Sequence, residues 1–269
     1  MIHAQNITFR YPRDQDPALI DVSVTVEPGE VVGIVGPNGS GKSTLGRILK
    51  GILFPTSGDV SVDGCDTVYD NVEARKRVGL LFQNPDSQIV NSVVEHEVAF
   101  GPENLALPST EIRERVDEAL QTVGLSGQEL EECHSLSMAA KQRVALAAIM
   151  AMRPRYLILD EPTAWIEPRH RWPLLQTVLA WGTTQNVGLV LITHRMDEAQ
   201  LCARLYGMRD GRVDVVGTPE AVLGNSTVRD RLSLDTPDTW DLAGELRESG
   251  ADVPLAASPQ ELADALWRS

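Results

Sequence analysis

The chain is short of several things, and each shortage narrows what it can be. Among 269 residues there are three cysteines, Cys65, Cys133 and Cys202. They are odd in number and scattered, so they read as reduced thiols with no disulfide framework and no metal spacing. Positive charge is scarce: 24 Lys and Arg stand against 38 Asp and Glu, a formal net charge of -14. Phosphate backbones and anionic lipid should repel such a surface. Nucleic-acid binding is therefore disfavoured, and work at a membrane would run through a protein partner. Long apolar runs are missing too. The most apolar stretch, Val144 to Met152, is bracketed by Arg143 and Arg153 and is far shorter than the roughly 20 residues that span a bilayer. Met1 to Asn6 shows no basic region leading into an apolar one, so no signal peptide is expected. No internal repeat or low-complexity segment is visible.

What is present suits a soluble α/β protein: 42% of residues are hydrophobic and 23% charged, and the length fits one large domain with appendages. Ile2-His3-Ala4, Ile7-Thr8-Phe9 and Val22 to Val26 alternate as antiparallel strands do, closed by the turn Glu27-Pro28-Gly29-Glu30. Val31 to Val35 is a continuous apolar run of the buried parallel type, followed by a Gly-rich loop and a helix over 43–50. Residues 58–64 read as an edge strand and 78–82 as a second buried strand. From about Ser92 to Met152 the pattern is helical, with Ile112, Val116, Ala119, Leu120 and Val123 on one face. Tyr156 to Leu159 and Leu189 to Ile192 are further buried strands. Polar residues follow each of them, at the carboxyl edge where open α/β sheets hold ligands. A short helix is predicted over 218–223. A terminal one is predicted behind Ser258-Pro259-Gln260-Glu261, a capping box with proline at the first helical position.

The strongest motif is Gly36-Pro37-Asn38-Gly39-Ser40-Gly41-Lys42-Ser43, a P-loop between a buried strand and a helix. Its glycines let backbone N–H groups close on phosphate oxygens, and the helix start adds partial positive charge. Lys42 would bridge the β- and γ-phosphates, Ser43 would ligate Mg²⁺, and Thr44 would contact the α-phosphate. The bland alternative is a chance Gly-rich turn. Asp160, ending the strand Tyr156-Leu157-Ile158-Leu159, would hold Mg²⁺ through water. Glu161 beside it would polarise the attacking water. A strand ending in acid is weak evidence alone and strong beside a P-loop.

The remaining motifs resemble the ATPases of ABC transporters over nearly the whole chain. They are Gln83 after the 78–82 strand, Leu136-Ser137-Met138-Ala139-Ala140-Lys141-Gln142-Arg143 at the signature position, Pro162-Thr163-Ala164-Trp165-Ile166-Glu167-Pro168 as a D-loop, and His194. The resemblance implies an α/β P-loop NTPase core with an antiparallel β subdomain, a helical subdomain over about 86–152, and a small C-terminal helical extension. The ATPase domain would span 1–224 and a dimerisation extension 225–269. It also implies ATP and Mg²⁺ as ligands, Tyr11 stacked on adenine, Gln83 on Mg²⁺ and the water, His194 on the γ-phosphate, and Ser137 presented to a partner's nucleotide. Tyr11 could instead be a plain strand aromatic and His194 a capped surface histidine.

A narrower resemblance is to energy-coupling factor (ECF) importers of vitamins, cobalt or nickel. Asn84 to Ile89 and Val94 to Asn104 carry it, together with Leu234-Asp235-Thr236-Pro237 and Leu246 to Gly250. It implies a peripheral position on the cytoplasmic face of the membrane. A transmembrane coupling subunit would dock at Gln83 to Glu103, and a substrate-binding membrane subunit would act indirectly. Glu95 and Glu97 would offer charge to arginine-bearing coupling helices, or would simply form an acidic solvated face.

The pattern breaks at the signature, where Met138-Ala139-Ala140 replaces Gly-Gly-Gln. Added side chains should hinder close approach to a partner's phosphate. In the D-loop, Trp165 replaces a small residue and Glu167 replaces Asp. The nucleotide-facing half is intact and the partner-facing half degraded, which implies a heterodimer with one degenerate site. Two other readings stand beside this one: a nucleotide-gated subunit with negligible turnover, and the ATPase of a conventional ABC transporter. A chromosome-maintenance ATPase would need a long coiled coil between Gln83 and Leu136, for which the segment is too short.

Overall fold

The computed structural model describes residues 1–12, 16–248, 253, 262–264 and 267. Strands β1 (Ile2–Phe9) and β2 (Leu19–Val26) pair antiparallel. Next come β3 (Val31–Val35) and helix α1 (Lys42–Leu49). β4 (Ser57–Val62) and the two-residue β5 (Cys65–Asp66) complete a four-stranded sheet in the order β2-β1-β4-β5. The stretch expected at an edge thus has a neighbour on each side, though β5 covers it for only two residues.

After α2 (Asn71–Arg77) and β6 (Val78–Leu81) come three helices, α3 (Val94–Asn104), α4 (Ser109–Thr122) and α5 (Met138–Ala151). The helical stretch is interrupted between α4 and α5. Gly124 takes a left-handed φ of 71°, a conformation that ends a helix at little cost in glycine. The chain continues with β7 (Tyr156–Asp160), α6 (Pro168–Thr184), β8 (Gly188–Ile192), α7 (Met196–Ala199), β9 (Arg204–Arg209) and β10 (Arg212–Gly217). It ends with α8 (Pro219–Leu223), α9 (Ser226–Leu232) and α10 (Asp238–Glu248). The capping box at 258–261 lies outside the described residues.

The second sheet runs β10-β9-β3-β8-β7-β6, parallel except for β10. It is covered on both faces, which explains its unbroken apolar strands. Side chains of successive strand residues point to opposite faces. Val32, Ile34, Tyr156, Ile158, Val190 and Ile192 face the first sheet and α1. Val35, Leu157, Leu159, Leu189 and Leu191 face the helices. Val116, Ala119, Leu120 and Val123 join that second core, as the helical periodicity predicts.

The same core takes in Leu232 and Leu234. A division at 224/225 therefore falls inside a packed unit. A separate small cluster of Ala243, Val253 and Leu262, with Leu246 against it, begins only at α10.

Candidate active site

Four parallel strands bring their carboxyl ends to one edge, and the chemistry-bearing residues sit there. β3 delivers the P-loop, β8 delivers His194, β7 delivers Asp160 and Glu161, and β6 delivers Gln83. Two of the loop glycines are required by space as well as by φ. Gly36 has φ 142°, and a Cβ there would lie 2.0 Å from the Met208 carbonyl oxygen. Gly41 has φ 101°, and a Cβ there would meet the Ala18 carbonyl oxygen at 2.7 Å.

Lys42 Nζ donates to the Gly36 and Pro37 carbonyls at 2.8 and 2.9 Å. Burial pulls its amine below the ordinary lysine range, against the opposing pull of Glu161 and Asp160. Ser40 Oγ is buried with no protein partner among the described residues, a donor that a phosphate oxygen would satisfy. Tyr11 lines a cleft of about 520 Å³ with Asn38, Gly39 and Lys42–Thr44. Its hydroxyl is 3.1 Å from Thr44 Oγ1, and its ring meets Phe9 edge-on at 4.8 Å.

Ser43 Oγ donates to Asp160 Oδ1 at 3.0 Å. A hydroxyl, a carboxylate and the nearby Gln83 are hard donors of the kind Mg²⁺ takes, and they are too few to hold it without phosphate oxygens. Consistent with that, no group of three or more His, Cys, Asp or Glu could hold a metal among the described residues. The residues present fit Mg²⁺ carried in with a nucleotide.

Asp160 is only 4% exposed. Burial pushes its carboxyl above the usual range, neighbouring Glu161 adds to this, and Ser43, Arg47 and Lys42 oppose it. An acid whose folded-state pKa is raised binds more protons folded than unfolded. The nucleotide-free chain therefore loses stability as pH rises through the window above the ordinary carboxylate range, and the loss is complete once Asp160 is ionised. Asp160→Asn keeps an acceptor for Ser43 and removes the buried charge. It is expected to raise the Tm of the nucleotide-free chain by roughly 2–4 °C while stopping hydrolysis. A melt without nucleotide checks this, and a lowered Tm would contradict it.

Glu161 has φ 49°, a left-handed backbone uncommon outside glycine and concentrated at functional sites. Its N–H is anchored on the Ile192 carbonyl at 2.9 Å. Gln83 Nε2 donates to Glu161 Oε2 at 2.7 Å, and His194 Nδ1 lies 3.3 Å from Oε1. Glu161, Gln83 and His194 share a second cleft of about 470 Å³ with Gly36, Pro37 and Asn38. Ser233, Leu234 and Asp235 also line it. No sequence signal tied those three to the nucleotide side. They arrive because Leu232 and Leu234 are drawn into the core.

Ser137 lies outside both clefts, exposed, with its Oγ capping α5 by accepting from the Ala140 N–H at 3.2 Å. Glu95 and Glu97 do not offer the free charge expected of them. Glu97 is 4% exposed and accepts from the Val90 N–H, the Asn91 N–H and Asn91 Nδ2. Glu95 is paired to Arg113 at 3.1 Å. Helical periodicity could not show that the chain folds back over Glu97.

Sequence reasoning also missed Glu198. Its buried carboxylate accepts from the hydroxyls of Thr163 and Thr193, the latter at 2.7 Å. Arg195 Nε stands 3.6 Å away. Glu198 thereby ties the D-loop to the loop carrying His194.

A P-loop and acid-ended strands at one edge of a mainly parallel sheet, with a helical insertion between Gln83 and β7, define an ATPase cassette. The ABC transporter family matches residues 19–164. Among curated proteins, the chain is 42% identical over 259 residues to the ECF transporter ATP-binding protein EcfA1 of Caldanaerobacter subterraneus, covering 94% of each. It is 45% identical over 275 residues to EcfA1 of Symbiobacterium thermophilum, covering 98% of this chain and 96% of that one. Among solved structures, CbiO1 of Clostridium perfringens, described as part of the CbiONQ transporter complex, superposes with TM-score 0.77 at 33% identity, over 92% of this chain and 98% of that one. A post-hydrolysis dimer of an ATP-binding cassette bound to ADP and Pi superposes with TM-score 0.74 at 27% identity, over 81% and 99%. The chain belongs to the ABC transporter family, in its branch of ECF ATP-binding subunits, and is an ATPase. No helix among the described residues is long and apolar enough to cross a membrane.

Proposed function

We propose that this chain is the ATP-hydrolysing motor of an ECF importer, energising uptake of a micronutrient such as a vitamin or a metal ion. The observation that carries the reading is Glu161, held between Gln83 and His194 at the sheet edge that also presents the P-loop. Lys42 and the N–H groups of Asn38 to Thr44 bind and orient the phosphates, and Tyr11 lies against adenine. Ser43, Asp160 and Gln83 hold Mg²⁺, which when bound compensates phosphate charge. Glu161 accepts a proton from water while His194 steadies the γ-phosphate side.

The chain pairs with a second ATPase, 225–269 help hold the pair, and Gln83 to Glu103 faces a transmembrane coupling subunit. A substrate-binding membrane subunit is reached only through that coupling subunit, at the cytoplasmic face. The signature turn Met138-Ala139-Ala140 places side chains where the partner's nucleotide must approach closely, so the pair is a heterodimer. A partner with an intact signature completes the site over this chain's P-loop, and the opposite site is slow.

Steady-state ATPase of the chain, alone and with a second ATPase and the membrane subunit, tests this. Activity is expected only in the complex. Replacing Met138, Ala139 and Ala140 by Gly, Gly and Gln should raise turnover of the chain alone by at least about 10-fold, because misplacement near 1 Å can cost about 100-fold. A chain that already turns over alone like the complex would overturn the heterodimer. The same altered signature favours a second reading, a nucleotide-gated subunit with negligible turnover. ATP binding with background activity in the full complex would establish it. An ATPase of a conventional ABC transporter would work without the coupling subunit.

A further inference from the structure

Trp165 stands in the D-loop, between β7 and α6. Its indole is 47% exposed, yet it is tethered: Nε1–H donates to the Gln83 main-chain carbonyl at 2.8 Å. Gln83 is therefore held at two points, because its side-chain amide donates to Glu161 Oε2 at 2.7 Å. Glu161 leads directly into the D-loop, where Ala164 N–H closes a turn on the Glu161 carbonyl at 3.1 Å. The contacts form a closed ring, from Gln83 to Glu161, along the backbone to Trp165, and back to Gln83.

That ring has a chemical consequence. One carboxylate oxygen of Glu161 is engaged by Gln83 and the other is 3.3 Å from His194 Nδ1. Each contact takes one lone pair of its oxygen, so Glu161 meets a water only on the sides they leave open. The amide of Gln83, turned to Glu161, is also not turned to the Ser43–Asp160 pair. Phe82 beside it has two main-chain attachments of its own, its N–H donating to Gln88 Oε1 at 3.0 Å and its carbonyl 3.5 Å from Gln142 Nε2. The Trp165 bond is the one that reaches the Gln83 carbonyl.

We infer that Trp165 is a positioning residue that holds Gln83 on Glu161, so that Gln83 must be released from this tether to turn toward the Ser43–Asp160 pair when nucleotide binds. This rests on Glu161 as base and Gln83 as metal-facing glutamine. On the proposed function the D-loop faces the partner ATPase and Gln83 faces the membrane subunit. The indole bond therefore makes each sensitive to the other within one chain. A small residue in the D-loop could not supply this bond.

Trp165→Phe keeps the ring and deletes only the N–H. The first readout is the tryptophan emission of wild type minus that of W165F, with and without Mg²⁺ and a non-hydrolysable ATP analogue. The analogue should change the Trp165 contribution, and W165F should bind it about 2- to 10-fold more tightly, the range set by one neutral hydrogen bond that it need not break. The second readout is turnover in the assembled complex. W165F should lower KM for ATP by a similar factor with kcat unchanged, because the bond is already released in the loaded enzyme. Trp165→Ala should act in the same direction, and Gln83→Ala should erase the difference between Trp and Phe. Analogue binding with no change in the Trp165 emission overturns the inference, as does an unchanged or weakened affinity in W165F. A wild-type chain that binds no nucleotide overturns the ATPase reading itself, and this one with it.

Discussion

Glu161→Gln should cut ATP hydrolysis by roughly 10²- to 10⁴-fold, the usual contribution of a positioned general base, and leave ATP binding intact. The substitution is isosteric and sits at a left-handed backbone position fixed by the Glu161 N–H bond to Ile192 at 2.9 Å, so the loop has no reason to move. What changes is the protonation chemistry. An amide cannot take the proton, while the P-loop, Lys42, Ser43 and Asp160 still bind and orient phosphate. The loss should therefore fall on kcat, with KM for ATP close to unchanged. Phosphate release in a single turnover of the assembled complex, set beside equilibrium ATP binding, separates the two quantities. Residual activity above about a tenth of wild type would place the working base elsewhere.

Glu198→Ala should be the most damaging change to stability outside the apolar core. The carboxylate is 4% exposed and its partners Thr163 and Thr193 are each 1% exposed. Alanine leaves both hydroxyls buried without their acceptor and Arg195 without its counter-charge. Breaking such a buried cluster costs about 3–5 kcal/mol, which for a domain of this size lowers Tm by roughly 10 °C. Because Thr163 precedes the D-loop turn and Thr193 precedes His194, kcat should fall as well. Glu198→Gln retains one acceptor and should cost less on both counts. Thermal and urea unfolding of the three proteins, measured at one pH, decide the matter. A Tm within about 2 °C of wild type for the alanine variant would refute this account of the buried cluster.

Some of this site is legible residue by residue. The P-loop reads from sequence because it is local: eight consecutive residues create the cradle, and the φ values of Gly36 and Gly41 depend on nearby backbone. Asp160 and Glu161 read because a strand and the residues directly after it are one segment. Gln83, His194 and Trp165 are different. The motif pattern marked them, but nothing in the linear chain shows that an indole reaches the Gln83 carbonyl or that Gln83 and His194 take the two oxygens of one carboxylate. Glu97 illustrates the same limit in the other direction. Its position in α3 reads as solvated acid, and only the return of residues 90–91 over it makes it a buried acceptor.

By itself, then, the sequence determined the local conformations, the strands buried on both faces, the phosphate cradle and the acidic pair beside it. Each of these is set by neighbours within a few positions or by a two- or near-four-residue periodicity. The tertiary structure decided which distant groups share a proton, a hydroxyl or a carbonyl. The order β3-β8-β7-β6 aligns four strand ends at one edge and so places Gln83, Glu161 and His194 within hydrogen-bonding range. The packing of Leu232 and Leu234 carries Asp235 to the same cleft. Hydrogen bonds act over about 3 Å, while the residues they join here lie tens of positions apart, and only the packed core fixes such distances.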